Sequence, residues 1–468
     1  MGAESGRREF TRALTAWVTS AEPATNGEHA TAAPTVRADI GTVAKVGKLV
    51  HHGGLAVIIA ATITACSANS GQDTTSARLD ETNTIPAAND SAASAVEDYP
   101  DSITRTLDRL ASAPRPVEPS AIPPRQLDEE TFPISLVDRE RIVFGGVPPD
   151  GIPPIDDPRY ESVQDVDWLN PDEAVLVAEI DGHARAYPVQ IMIWHEIVND
   201  VLGDRPLAVT YCPLCNSGVA FDRRLGDDVL DFGTSGALYQ ANLVMYDRQT
   251  ESLWTQFDGR SVVGTRVGDQ LDRVPVATVA WREFRDQHPD GTVLARSLTN
   301  PKPYGRNPYN AYDQRTTAIP GFFTGEPDGS LAPYERIVGL ERNGDAVAVP
   351  HRALAEAGTA AVAVDGTDVS VWHLPGMASP LNDSDVAGGD DIGSTRAYLA
   401  EVRGRATEFR RRGDQFIDAA TGSTWNFLGE AVDGPMQGER LRPVVHVDTF
   451  WFAWATFHLD TQLVEPTT

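Results

Sequence analysis

The chain is 468 residues long, more than one ordinary hydrophobic core requires, and its apolar fraction of 41% suffices to build a sizeable core. Its 39 Lys and Arg against 67 Asp and Glu leave a net charge of −28, which disfavours nucleic acid and anionic membrane surfaces as partners because both repel an acidic face. Three cysteines are too few for a disulfide scaffold, and 33 Pro with 39 Gly favour loops and short strands over a helix bundle.

Near the N-terminus, Lys45 and Lys48 precede a short apolar run from Leu55 to Ile63, which closes on Ile63-Thr64-Ala65-Cys66. The pattern resembles a bacterial lipoprotein signal, in which the cysteine becomes the lipidated first residue of the mature chain. A spanning helix needs about 20 apolar residues, and His51, His52, Gly53 and Gly54 interrupt this run. The reading predicts a membrane partner through a lipid anchor on Cys66, placement on the outer face of a cell membrane, and a compartment where thiols oxidise readily. Residues 1–66 are then an N-terminal extension and signal, and the unusual length before Lys45 suggests a true start further downstream. Residues 67–131 are rich in Ser, Ala, Asp, Thr and Pro, a disordered tether with at most a short helix over 101–111.

From about Phe132 the chain turns to short apolar runs punctuated by Gly, Pro and Asp. Ile191, Trp194, Val198, Val201 and Leu202 predict an amphipathic helix over 188–202, opened by Pro188 and stopped by Gly203. Leu207, Val209 and Tyr211 alternate as in a strand and deliver Cys212 and Cys215 to its end. Gly233 to Gly236 lacks the spacing of a nucleophile elbow and predicts a tight turn.

The chain also resembles itself. Gly182 and Pro188 recur as Gly344 and Pro350, 162 residues on. Asp247, Thr250, Ser252 and Trp254 recur as Asp418, Thr421, Ser423 and Trp425, and Trp281, His288 and Asp290 as Trp451, His458 and Asp460. This predicts an α+β fold of mainly antiparallel strands in two tandem repeats, residues 132–300 and 301–463, packed face to face about a pseudo-two-fold. Helices are expected over 278–287 and 448–457. Where the first repeat has TYCPLCNS, the second has VWHLPGMAS, so cysteine chemistry is confined to the first.

The segments WHEIVND (194–200), TYCPLC (210–215), FGTSGALYQANLVMYDRQTESLW (232–254) and YGRNPYNAYD (304–313) resemble the family called domain of unknown function 3179, as does DGIPPIDDPRY (150–160). The resemblance runs from about Phe144 to the C-terminus. It implies a domain found on exported proteins of bacteria and archaea, and no established activity.

Three readings of Cys212-Pro213-Leu214-Cys215 stay open. One is a disulfide staple in a non-catalytic envelope binding or structural module. Another is a metal site for copper, zinc or iron, with His195 as third ligand, Met245 as a weak soft ligand and Glu196 in support behind them. The last is a thiol–disulfide exchange pair. Asn216 excludes haem attachment, which needs histidine there. Arg306, Asn307, Tyr309 and Asp313 either line a cleft between the repeats or belong to a Pro-fixed linker. No P-loop, dinucleotide, HExxH or EF-hand pattern occurs.

Overall fold

Hairpins dominate because β-branched runs alternate with turn pairs that tolerate positive φ. Asp181-Gly182, Asn343-Gly344 and Asp365-Gly366 each place both residues at positive φ, the type I′ turn geometry that matches strand twist. The computed structural model describes residues 135–296, 301–317, 322–326 and 328–466. The signal-like segment, Cys66, the tether and the short helix expected over 101–111 lie outside the described residues.

In the first half, β1 (Ala174–Ile180) and β2 (His183–Pro188) lead into helix α1 (Val189–His195), then β3 (Ile197–Leu202), β4 (Arg205–Cys212) and β5 (Ser217–Asp222). A meander follows of β6 (Phe232–Tyr239), β7 (Asn242–Asp247), β8 (Leu253–Thr255) and β9 (Ser261–Val263). Strand β10 (Val276–Ala280) returns beside β1, α2 (Trp281–Gln287) crosses over, and β11 (Thr292–Leu294) pairs parallel to β2.

The second half runs β12 (Arg336–Arg342), β13 (Asp345–Pro350), α3 (His351–Ala357), β14 (Thr359–Val364), β15 (Thr367–Leu374) and β16 (Ser394–Leu399). Its meander is β17 (Phe409–Arg412), β18 (Gln415–Asp418), β19 (Thr424–Trp425) and β20 (Ala431–Asp433). It closes with β21 (Val447–Phe450), α4 (Trp451–Phe457) and β22 (Gln462–Leu463). One sheet is ordered β10-β1-β2-β11, extended beyond β11 by Tyr160–Ser162, and its counterpart is β21-β12-β13-β22; β3-β4-β5, flanked at β5 by Arg273–Val274, and β14-β15-β16 form a second pair. Two side-chain nets also correspond. Asp247 accepts from the Trp254 indole at 2.9 Å and from the Thr250 hydroxyl at 2.8 Å; Asp418 accepts from Trp425 at 3.0 Å and from Thr421 at 2.7 Å.

The expected antiparallel pairing is present, but the helical share is small. Four α-helices of seven residues each stand among the described residues, so the fold is mostly β. The helix expected over 188–202 stops at His195, and its second half is strand β3, hairpinned onto β4. Strand β3 is buried at every position but Val201, and an apolar run buried on both faces mimics helical periodicity. Gly203, at φ 61°, belongs to the hairpin turn rather than to a helix stop. Likewise α2 and α4 begin at Trp281 and Trp451, because the residues before them pair as β10 and β21. Gly233 to Gly236 forms no turn between elements; it lies within β6, where the register to β7 shifts between Thr234 and Leu238.

Two polar anchors fix β3 under the site. Asn199 donates to Asp156 at 2.7 Å and to the Phe232 carbonyl at 2.8 Å, and accepts from the Phe232 N–H. Asp200 accepts from Arg185 at 2.7 Å, from Tyr187 at 2.5 Å and from Tyr160. A buried charge with this many partners holds one register, since a slip by one residue would leave it unpaired. Burial and the Asp200 charge push both phenols above their usual range, so they act as hydrogen-bond donors.

Candidate functional site

At the end of α1 a residue with a Cβ takes a backbone conformation that glycine adopts freely. Glu196 caps the helix at φ 58°, ψ −31°, its N–H donating to the Met192 carbonyl at 2.7 Å. The second half makes the same reversal at Gly358, with φ 79° and ψ −28°. The next strand docks identically: Tyr211 N–H donates to the Glu196 carbonyl at 2.8 Å, and His373 N–H to the Gly358 carbonyl at 3.0 Å. Glycine adopts this conformation freely, whereas a residue with a Cβ carries strain of about 1–3 kcal/mol. The β6–β7 turn repeats the contrast. Gln240 and Ala241 sit at φ 52° and 62°, while Gly413, at φ 63°, serves the β17–β18 turn.

Both non-glycine reversals converge on the cysteines. Cys212 closes β4 and Cys215 follows in a turn closed by its N–H on the Cys212 carbonyl at 3.2 Å. Both are free thiols and both are buried. The Ala241 carbonyl lies 3.4 Å from the Cys215 sulfur and 3.9 Å from that of Cys212. Asn242 donates to the Cys215 sulfur at 3.6 Å and to Gln256 at 2.8 Å; Gln256 in turn donates to Thr210 at 2.9 Å. Residues from the second half and the connecting segment hold the turn. Thr449 and the Phe450 N–H donate to the Cys215 carbonyl at 2.8 and 3.1 Å, and Tyr312 donates to the Leu214 carbonyl at 3.0 Å.

The electrostatics separate the two sulfurs. Burial pushes Cys212 up, but hydrogen bonds from the Cys215 thiol and from the N–H groups of Leu243, Cys215 and Leu214 outweigh it, and the net shift is downward. Burial, donation to Cys212 and the nearby Cys212 charge push Cys215 well up. Burial and then the Cys212 charge raise the Glu196 carboxyl well above its ordinary range.

Glu196 also lines a cavity of about 50 Å³ with Ile193, Leu214, Leu238, Leu243 and Tyr309. The irregularity in β6 shapes one wall: Ser235 donates to the Val244 carbonyl at 2.5 Å and accepts from the Ala237 N–H at 3.0 Å. Such bulges re-aim side chains beside functional sites.

The expected ligand set does not assemble. The His195 ring pairs through Nδ1 with the Pro153 carbonyl at 2.8 Å and through Nε2 with the Tyr304 hydroxyl at 2.7 Å, away from the sulfurs. Its pKa falls to about 4, chiefly through burial. Met245 lies in the β7 ladder opposite Thr234 and Trp254. Among the described residues, no group of three or more His, Cys, Asp or Glu side chains is arranged to hold a metal ion. The physical reason is the early end of α1, which commits both nitrogens of the buried His195 ring to Pro153 and Tyr304. Of the expected cleft residues, Tyr309 lines the cavity. Asn307 ties down the Asp383 carbonyl at 2.8 Å, Asp313 pairs with Arg336 at 2.7 Å, and the Arg306 carbonyl accepts from Trp194 at 3.2 Å.

A family model described as "Protein of unknown function (DUF3179)" matches residues 149–461, from just before the β-rich body through α4 and its following turn. The chain belongs to this family. No curated protein and no solved structure resembles it closely enough to match. The DUF3179 match thus spans Glu196, both cysteines and Tyr309 but assigns none of them a role.

Glu196→Gly tests the strain argument. Removing a large buried side chain ordinarily costs about 2–5 kcal/mol. Here relief of strain and loss of a buried carboxyl offset that, so urea unfolding should place the variant within about 1 kcal/mol of the parent. A loss of the ordinary size would make Glu196 a structural residue.

Proposed function

We propose that the first half is a dithiol–disulfide redox centre, with Cys212 as attacking sulfur, Cys215 as resolving thiol and Glu196 as proton carrier. The observation that carries this reading is the strained, buried Glu196 within reach of the charge of Cys212, whose thiol is shifted down while that of Cys215 is shifted up. That asymmetry is what an exchange pair requires, since the thiolate is the nucleophile. With Cys212 2% and Cys215 0% exposed, the oxidant is a small diffusible molecule such as a hydroperoxide rather than a protein disulfide.

In the first step the Cys212 thiolate attacks the peroxide. An S–O bond forms, the O–O bond breaks, and the departing oxygen takes the Glu196 proton to leave as an alcohol, or as water from hydrogen peroxide. In the second, Cys215 passes its proton through Glu196, its sulfur attacks Cys212, and the sulfenic oxygen leaves as water. Two thiols and one hydroperoxide thus give a disulfide, one alcohol and one water. Treating the reduced full chain with hydrogen peroxide should yield a Cys212–Cys215 disulfide by peptide mapping. Cys215→Ser should stop at a sulfenic acid, and Glu196→Gln should slow oxidation about 100-fold and flatten its pH profile. Oxidation at an unchanged rate in Glu196→Gln removes the proton-carrier role. Thiols that stay alkylatable in the parent remove the redox centre.

The anchor and the duplication belong to the same proposal. The Lys45-to-Cys66 pattern supports an exported protein held at a membrane by lipid on Cys66; a mature chain that stays soluble in the native host without lipid would count against it. A shared order of four strands in one pair of sheets and three in the other, with the paired Asp-Thr-Trp nets, supports descent of both halves from one duplicated unit. A superposition of the halves that left Trp254 and Trp425 in unlike positions would remove that reading.

A further inference from the structure

The cavity beside Glu196 has a chemistry of its own. Its walls are apolar: Val147, Ile152 and Ile193 on one side, Leu238 and Leu243 from the β6–β7 hairpin, and Leu214 from the cysteine turn. Two ionisable groups line it, Glu196 and Tyr309. Glu196 is 7% exposed, and among the described residues its carboxyl makes no hydrogen bond. The Tyr309 hydroxyl likewise has no hydrogen-bond partner among the described residues, although its ring packs edge-on against Tyr312 at 6.0 Å. Burial raises both groups, and each lies close enough to feel the other's neighbours: Cys212 acts on Glu196, and Glu196 and Cys212 act on Tyr309. Both shifts favour the protonated forms, so each group presents an O–H.

Both groups line one apolar chamber, where an acceptor on a guest can take the hydrogen bonds that water otherwise supplies. A single oxygen with two lone pairs satisfies both, which is the arrangement a carbonyl provides. A carboxylic acid kept neutral by an apolar site and paired with a tyrosine is a known way to grip such an oxygen. Size limits the rest of the ligand. If one water needs about 10–15 Å³ by this measure, the cavity admits roughly three to five heavy atoms.

We infer that this cavity binds a small aliphatic carbonyl compound, its oxygen held by Glu196 and Tyr309 and its alkyl part against Ile193, Leu238 and Leu243. The inference stands on the cavity and its two donors, and does not depend on the redox reading.

The test uses the reduced full chain and 2-butanone carrying a ¹³C carbonyl, with no oxidant present, so that this inference and the redox proposal fail separately. Saturable binding followed by NMR is expected for the parent, with the bound C=O stretch at lower frequency than in hexane. Tyr309→Phe and Glu196→Val should each weaken binding at least tenfold, Glu196→Gln, which keeps a donor, by threefold or less, and Ala237→Leu should abolish it by filling the wall. Circular dichroism and thermal unfolding establish that each variant is folded, and the unshifted stretch in any weakly binding variant separates loss of a donor from loss of fold. No saturable binding by the folded parent would leave a water-filled cavity only and overturn the inference. Equal affinity in all variants, or a bound stretch at the hexane frequency, would also overturn it.

Discussion

The backbone reversal at Glu196 governs how the first half is put together. It ends α1 after seven residues, sends the chain back as β3, and offers its carbonyl to the Tyr211 N–H at 2.8 Å. That bond fixes the register of β4, and β4 fixes where Cys212 emerges. Had the helix continued for one more turn, as the apolar spacing allows, His195 and Glu196 would both have projected from a helix surface. Ending it at positive φ buries Glu196 where it feels the Cys212 charge and leaves His195 bound to Pro153 and Tyr304.

Asymmetry between the halves shows where the strain resides. At Gly358 and Gly413 the second half meets its backbone demands with glycine, and Gly358 has no space for more, since a Cβ there would lie 2.8 Å from Arg411 Cβ. The first half instead places Glu196, Gln240 and Ala241 at positive φ, each at the cysteine pair or on the hairpin that touches it. Strain of this kind persists only where the surroundings over-determine it. Gln240 is held through its side chain, which accepts from the Thr324 N–H at 3.2 Å, and the Ala241 N–H donates to the Phe322 carbonyl at 2.7 Å.

Much of this was legible in the residues. Asp-Gly and Asn-Gly pairs marked the hairpins, and the spaced Asp-Thr-Ser-Trp set marked two nets that proved to share bonding distances. Cys212 and Cys215 stood out in the sequence, and in the fold they are two buried free thiols beside the Ala241 carbonyl. What was not legible was the early end of α1 at His195. Ile197, Val198 and Leu202 are buried in a strand with both faces covered, and such a run satisfies a helical pattern equally well. No propensity announces a glutamate at φ 58°. A signal did exist: in the register of 162 that aligns Pro188 with Pro350, Glu196 falls opposite Gly358, and a glycine facing a glutamate at a helix end points to a backbone only glycine prefers. The cavity was hidden for a different reason. Its walls come from α1, the cysteine turn, the β6–β7 hairpin and the segment around Tyr309, which only the tertiary fold brings together.

The second half, without cysteines, still bears on the pair. Its β21 supplies both donors to the Cys215 carbonyl, Thr449 and the Phe450 N–H. The preceding residue, Asp448, is itself fixed by His351 at 2.8 Å and Thr395 at 2.6 Å. A reciprocal contact runs the other way, where the Ala280 N–H at the end of β10 donates to the Ser394 hydroxyl at 2.9 Å. Each half thus uses the strand that leads into its last helix to pin a turn or strand end of the other. Separated from β21, the Cys215 carbonyl would be a buried acceptor without its two donors, and the turn that sets the sulfurs against each other would lose its support. The cysteine turn is therefore held by both halves, although both cysteines lie in one.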